Sequence, residues 1–272
     1  LKDIMTTHQI FFFFIQFSAT APLKLLAPHY GFRAATMPGF TQEMLQSLKL
    51  DYEEINARIM KIKHILDPAT GMEIEFQLDT GENHHIYFDL RFRTATSSGG
   101  RFPDPGKAGN LPGGECYIVP YEGEKGEQSK SSGTLPVQFE NEIVIYKIEQ
   151  NAAVDILSSG EHSNSEMKKI KEEPAYANIA ELGFGILRYF GIKPINEVLL
   201  DEKLGLHIAF GRSDHFGGAI GIKDFTKPEN VIHIDRLYIP EIQNRIRVNY
   251  VRILYENSSP VEIIKNDDYT IF

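Results

Sequence analysis

An apolar stripe running from Leu45 to Leu66 constrains the fold of this chain more than any other feature of its sequence. Leu45, Leu48, Tyr52, Ile55, Ile59, Ile62 and Leu66 recur at three- and four-residue steps, the spacing that places side chains on one face of a helix. Thr41, following Pro38-Gly39-Phe40, is a suitable N-cap, so the helix is predicted to begin near it. Asp67-Pro68-Ala69-Thr70-Gly71 ends it, because a proline disfavours helical geometry in the residue before it. Upstream, Ile10-Phe11-Phe12-Phe13-Phe14-Ile15 reads as a buried strand leading into a helix at Ala21-Pro22-Leu23-Lys24-Leu25-Leu26. Strand, helix, strand, helix over residues 8–66 is an α/β pattern. The apolar run followed by Ser18-Ala19-Thr20-Ala21 also resembles a signal-peptide core with a small-residue cleavage site. Lys2 and Asp3 ahead of it give no positive excess, and the run is far too short to span a bilayer.

The character of the chain changes after Gly71. Met72 to Leu78 and Ile86 to Leu90 form a predicted hairpin around Asp79-Thr80-Gly81-Glu82-Asn83. Residues 95–135 are rich in Gly, Ser, Pro and Lys, with Tyr117-Ile118-Val119 the strongly apolar exception. So long a poorly patterned stretch usually carries function or disorder. Further strands are expected at 137–149, 152–157, 205–210, 230–238 and 246–255, with a polar helix from Ser165 to Glu173 and a second helix after Ala180. There is no internal repeat. The expected division is an N-terminal α/β portion over residues 1–67 and a second domain over 68–272.

The 272 residues carry a net charge of −9, which argues against non-specific nucleic-acid binding because a polyanion is repelled by such a surface. One cysteine, Cys116, rules out an internal disulfide framework and suits a reducing, cytoplasmic compartment. No membrane association is expected.

The most informative local pattern is Val231-Ile232-His233-Ile234-Asp235-Arg236-Leu237. Side chains alternate across a strand, so His233 and Asp235 share one face while Ile232, Ile234 and Arg236 take the other. Two metal-ligand types on one face suit a metal site on a rigid element; a solvated face with an incidental His/Asp pair is the plainer reading. Leu204-Gly205-Leu206-His207-Ile208-Ala209-Phe210-Gly211 places His207 on a face with only small neighbours, which leaves room for a metal and a substrate. Together the three side chains would supply two imidazoles and a carboxylate, the set of non-haem iron sites and of some zinc sites. Glu115 follows the glycine-bracketed turn Gly109-Asn110-Leu111-Pro112-Gly113-Gly114, and Glu181 lies in an otherwise apolar stretch before Leu182-Gly183-Phe184-Gly185. Taken alone, Glu115 reads as a surface turn and Glu181 as a charge at a helix N-terminus.

The ordered set Gly109 to Glu115, Ala180 to Gly185, Asp201-Glu202-Lys203-Leu204-Gly205, His207 to Gly211 and His233-Ile234-Asp235 resembles the aminopeptidase T, or thermophilic metalloprotease, family of metallopeptidases. Pro38-Gly39-Phe40-Thr41 and Asp51-Tyr52-Glu53 match as well, so the resemblance covers at least residues 36–240. It implies an α/β N-terminal portion and a C-terminal mixed-sheet metal-binding domain (α/β plus α+β), a homodimer, and Glu115, Glu181, His207, His233 and Asp235 as ligands of one or two divalent ions such as zinc, cobalt or manganese. Glu115 and Glu181 would also serve catalysis in a metallo-aminopeptidase that trims N-terminal residues from small peptides.

One departure points to a second branch. The family's tyrosine ligand is absent from Arg212-Ser213-Asp214-His215-Phe216-Gly217-Gly218. Here the chain is more similar to the branch that includes 2,5-dihydroxypyridine dioxygenase. That similarity extends over Gly99-Gly100, Tyr117-Ile118-Val119-Pro120-Tyr121-Glu122-Gly123, Glu172-Glu173-Pro174-Ala175-Tyr176 and Ser213 to Gly218. In that branch the resemblance implies a mononuclear iron(II) ring-cleaving dioxygenase acting on a small aromatic substrate, with His207, His233 and Asp235 as facial triad. Arg212 and His215 are candidates to bind a substrate carboxylate or hydroxyl. Adjacent His84 and His85 face opposite ways on a strand and are expected in a turn or exposed role, and Cys116 is expected to be a small buried residue.

Overall fold

The structure is a computed structural model that describes residues 2–16 and 18–272. The chain opens with α1 (Lys2–Thr7), β1 (Ile10–Ile15), α2 (Thr20–Tyr30) and β2 (Arg33–Pro38), followed by a 3-10 helix at Gln42–Lys49 and α3 (Tyr52–Leu66). Next come β3 (Gly71–Leu78), β4 (Asn83–Asp89), β5 (Thr96–Ser98), β6 (Ala108–Asn110), β7 (Glu115–Ile118), β8 (Ser132–Phe139), β9 (Glu142–Glu149) and β10 (Ala152–Ile156). Then α4 (Glu161–Glu172) leads to β11 (Ile179–Gly185), α5 (Val198–Asp201), β12 (Leu206–Gly211) and β13 (His233–Tyr238). The chain finishes with β14 (Ile246–Leu254), β15 (Val261–Lys265) and β16 (Asp268–Tyr269). The strands form three sheets ordered β1-β2-β6, β10-β9-β8-β4-β3-β14-β15-β16 and β13-β12-β11-β7-β5, a mixed α/β architecture. Among the described residues no helix is long and apolar enough to cross a membrane.

Two compact units divide the chain: Leu1–Ile62 with Ser97–Cys116 and Phe184–Gly205, and Lys63–Thr96 with Tyr117–Gly183 and Leu206–Phe272. In the first unit β1, β2 and β6 are parallel. Phe11 and Phe13 of β1 pack against the buried Leu23, Ala27 and Phe32. Ile10, Phe12 and Phe14 alternate with them and are exposed, so the strand is half-exposed rather than buried. Six consecutive apolar residues hide the period of two that would have shown this.

The expected helix from Thr41 to Leu66 is two elements. Gln42–Lys49 winds as a 3-10 helix, and Thr41 makes no side-chain cap. At three residues per turn the inward face moves: Met44 and Ser47 are buried while Leu45 is 44% exposed. The α-helix starts afresh at Tyr52, where Asp51 Oδ1 accepts hydrogen bonds from the Glu53 and Glu54 amides at 2.9 and 3.2 Å. Ile55, Ile59 and Ile62 of its stripe are fully buried.

In the second unit the eight-stranded sheet is built of antiparallel pairs. The expected strand at 137–149 is a hairpin, because Glu140 takes a left-handed conformation (φ 49°) and turns β8 into β9. Helix α4 begins before Ser165, since Glu142 accepts from the amides of His162 and Ser163 and satisfies its first turn. The helix expected after Ala180 is instead the strand β11, buried along its whole length; Gly183 and Gly185 are poor helix formers, and both of its faces are covered. His84 is buried against Thr134 Oγ1 (3.1 Å), and His85 is exposed. Cys116 is fully buried.

The 3-10 segment makes a direct contrast testable. Met44→Ala should lower stability by about 2–5 kcal/mol, whereas Leu45→Ala should change it by no more than about 0.5 kcal/mol. Urea denaturation compares them, and equal losses would contradict the observed winding.

Candidate metal centre

The centre in the second unit is laid out by strand register. β12 and β13 are antiparallel, with His207 opposite Leu237, Ala209 opposite Asp235 and Gly211 opposite His233. Directly paired residues project to the same face. Ala209 and Gly211 therefore stand across from Asp235 and His233. His207 is instead accommodated by Gly183 of the neighbouring β11. A methyl group at Gly183 would fall 1.8 Å from His207 Nε2.

Glu181, two residues before Gly183, brings these histidines together. Its Oε1 is 3.4 Å from His207 Nε2 and its Oε2 is 3.2 Å from His233 Nε2. Asp235 Oδ1 is 3.6 Å from the same His233 nitrogen. Ligand atoms of Glu181, His233 and Asp235 all lie within 4.8 Å of one another. Glu181 and His207 are buried. Asp235 Oδ1 is shielded from solvent and has no hydrogen-bond partner among the described residues.

His233 Nδ1 lies 2.8 Å from the carbonyl oxygen of Arg212. A carbonyl only accepts, so Nδ1 carries a proton and donates it. Nε2 is then left facing two carboxylates, an arrangement that demands a cation there: a proton or a metal ion. Without metal the proton fills the role. Burial lowers the basicity of His233, but contact with Asp235 and Glu181 outweighs it and holds the imidazole well above its usual range. Burial raises the Glu181 carboxyl, and the two imidazoles more than reverse this, leaving it far below the carboxylate range. One imidazole and two carboxylates, with a solvent-shielded, unbonded Asp235 oxygen, fit a divalent transition metal, and His207 adjoins them through Glu181.

An aromatic wall flanks the centre. The rings of Phe216 and His215 lie 5.1 and 5.3 Å from that of His233, both edge-on, and Tyr117 packs on Phe216 at 4.8 Å. Burial, followed by the positive neighbours His233 and Arg212, pushes His215 down to about 4, so it is neutral at pH 7. Arg212 is engaged by Asp214, Nε to Oδ1 at 2.5 Å.

Glu115 belongs to the first unit, buried in β7 rather than in a surface turn. Its Oε1 lies 2.5 Å from Nζ of Lys203, which is fully buried and also contacts Glu202. Burial alone would discharge this lysine, but the two carboxylates overcome it and keep the ammonium charged.

The fold brings Glu181, His207, His233 and Asp235 together, and the packing of His207 over Gly183 accompanies them. Gly183 was legible only as a glycine between Leu182 and Phe184; nothing local shows that an imidazole from another strand covers it.

No protein-family model matches the chain, and no curated protein matches it. Among solved structures it is similar to 2,5-dihydroxypyridine dioxygenase from Pseudomonas putida KT2440, with 13% sequence identity and a TM-score of 0.68, over 99% of this chain and 74% of that one. At that identity the likeness is one of fold. The aminopeptidase T expectation gains no support from these comparisons.

Two outcomes follow from the geometry. Gly183→Ala should displace His207 and weaken divalent-metal binding by more than about tenfold, as read by metal titration; unchanged affinity would remove His207 from the centre. In metal-free protein, the Glu181–imidazole contacts stabilise the fold fully between pH 4.5 and 6.5, the ordinary values of the two groups. The raised histidine loses its contribution as pH climbs above 6.5, and the depressed glutamate loses its own as pH falls below 4.5. Urea midpoints of wild type minus Glu181→Gln should peak in that window, and a flat difference would contradict the pairing.

Proposed function

We propose that this chain is a mononuclear iron(II) dioxygenase that cleaves a hydroxylated aromatic ring. The observation that carries the reading is His233: one ring nitrogen is tied to the Arg212 carbonyl, the other faces Glu181 and Asp235, and its edges meet the Phe216 and His215 rings. A ligand nitrogen fixed in this way beside a wall of aromatic rings suits a planar substrate held next to a metal. The shared fold with a dioxygenase supports the reading.

Glu181, His207, His233 and Asp235 would hold the ion, a set of imidazole and carboxylate donors of the kind used by non-haem iron oxygenases. When bound, iron(II) supplies the redox chemistry that lets dioxygen add to the ring, both oxygen atoms entering the product as a carbon–carbon bond breaks. The protein's own contribution is positional. Phe216 and Tyr117 offer apolar faces for the ring, and His215 and Arg212 are the polar groups beside them that would meet its hydroxyls. The Nδ1 contact keeps His233 in the tautomer a metal requires.

A peptidase centre with two ions would draw on Glu115 as well. That carboxylate is paired with the buried Lys203 ammonium, which Glu202 also contacts.

Anaerobic loading should therefore give one iron per chain, with oxygen uptake on a dihydroxylated pyridine or benzene and no hydrolysis of a leucyl chromogenic amide. His233→Ala should lose iron by more than the roughly 10–100-fold typical of outer-sphere substitutions. Two ions per chain together with amide hydrolysis would overturn the proposal.

A further inference from the structure

The Arg212–Gly221 loop, which carries the rings against His233, is held by one buried carboxylate. The Glu122 side chain is 3% exposed. Its Oε1 accepts from Ser213 Oγ at 2.5 Å and from Asn178 Nδ2 at 2.7 Å, and its Oε2 accepts from the Ala219 amide. Arg93 Nη2 lies 3.5 Å from the same Oε2. Asn178 passes the constraint on. Its Nδ2 also donates to the Gly211 carbonyl at 3.0 Å, and its own carbonyl accepts from the Gly211 amide at 2.8 Å. Gly211 is the residue directly opposite His233.

The loop closes on itself around this anchor. Ser213 is fully buried; its amide and that of Asp214 donate to the Ile220 carbonyl, and the Gly218 amide donates back to the Ser213 carbonyl. Gly218 lies so close that a methyl group on it would stand 2.2 Å from Ser213 Oγ and 2.9 Å from Glu122 Oε2. Between these fixed points the chain presents His215 and Phe216, whose rings lie 4.0 Å apart and both contact the His233 ring.

We infer that Glu122 is a positioning residue: it latches the Arg212–Gly221 loop so that Phe216 and His215 form one wall of the substrate cavity, and thereby sets affinity for an aromatic ring without contributing to metal binding. The role in ring binding rests on the dioxygenase reading; the latch itself does not. A charged acceptor serving several donors is worth more than a neutral one, and its replacement leaves those donors without their partner.

The test uses the full-length, iron-loaded protein with Glu122→Gln, and Gly218→Ala as a second variant that disturbs the same latch from the loop side. Hydrogen exchange over residues 213–221, iron stoichiometry and the Kd for 4-nitrocatechol are measured on each. Both variants should exchange about tenfold or more faster in the loop, keep one iron, and bind 4-nitrocatechol about tenfold or more weakly. Unchanged loop exchange in a folded variant overturns the latch, as does loss of iron in step with loop opening, which would make Glu122 a support of the metal ligands. If Glu122→Gln does not fold, Gly218→Ala alone decides by the same readouts. Wild-type protein that fails to bind 4-nitrocatechol counts against the ring-substrate reading, while loop exchange still decides the latch.

Discussion

The His233 imidazole, caught between a backbone carbonyl and two carboxylates, is the interaction on which the account of this protein depends. Its Nδ1 proton goes to Arg212, and its Nε2 faces Glu181 and Asp235. Buried acceptors directed at one nitrogen are costly unless a cation lies among them. The strands therefore build a position of concentrated negative potential, filled by a proton when metal is absent and suited to a divalent ion. Gly183 lacks a side chain where His207 covers it, and Gly211, opposite His233, has a positive φ and lies against the Ile232 carbonyl.

Glu181, His207, His233 and Asp235 lie on strands, whereas the aromatic wall lies on a loop. β11 and β12 are buried along their full lengths, so Glu181 and His207 are held by sheet hydrogen bonding and packing on both faces. The Ser213–Gly218 segment, by contrast, is ordered by side-chain and backbone contacts to Glu122 rather than by a sheet.

Much of this was legible in the sequence, for physical reasons. The alternation in Ile232-His233-Ile234-Asp235 fixes a shared face for the two polar residues, and the register with β12 confirms that face. The hairpin of β3 and β4 follows from its polar turn. Where the reading went astray, local and tertiary preferences competed. The stripe ending at Leu66 is sound from Tyr52 onward, but three-residue winding before it turns Met44 inward and Leu45 outward. Ala180 to Gly185 is apolar apart from Glu181 and buried throughout, a pattern that a buried helix and a buried strand share, and neighbouring strands decided for the strand. Glu115 is glutamate in either role, and only the fold reveals its pairing with Lys203, 88 positions along the chain.

Anomalous diffraction at the iron edge, from crystals of anaerobically iron-loaded protein, tests the central claim most directly. The account predicts a single peak about 2.0–2.2 Å from His233 Nε2 and within coordination distance of Asp235 and Glu181. A second peak beside Glu115, or a peak remote from His233, would contradict it.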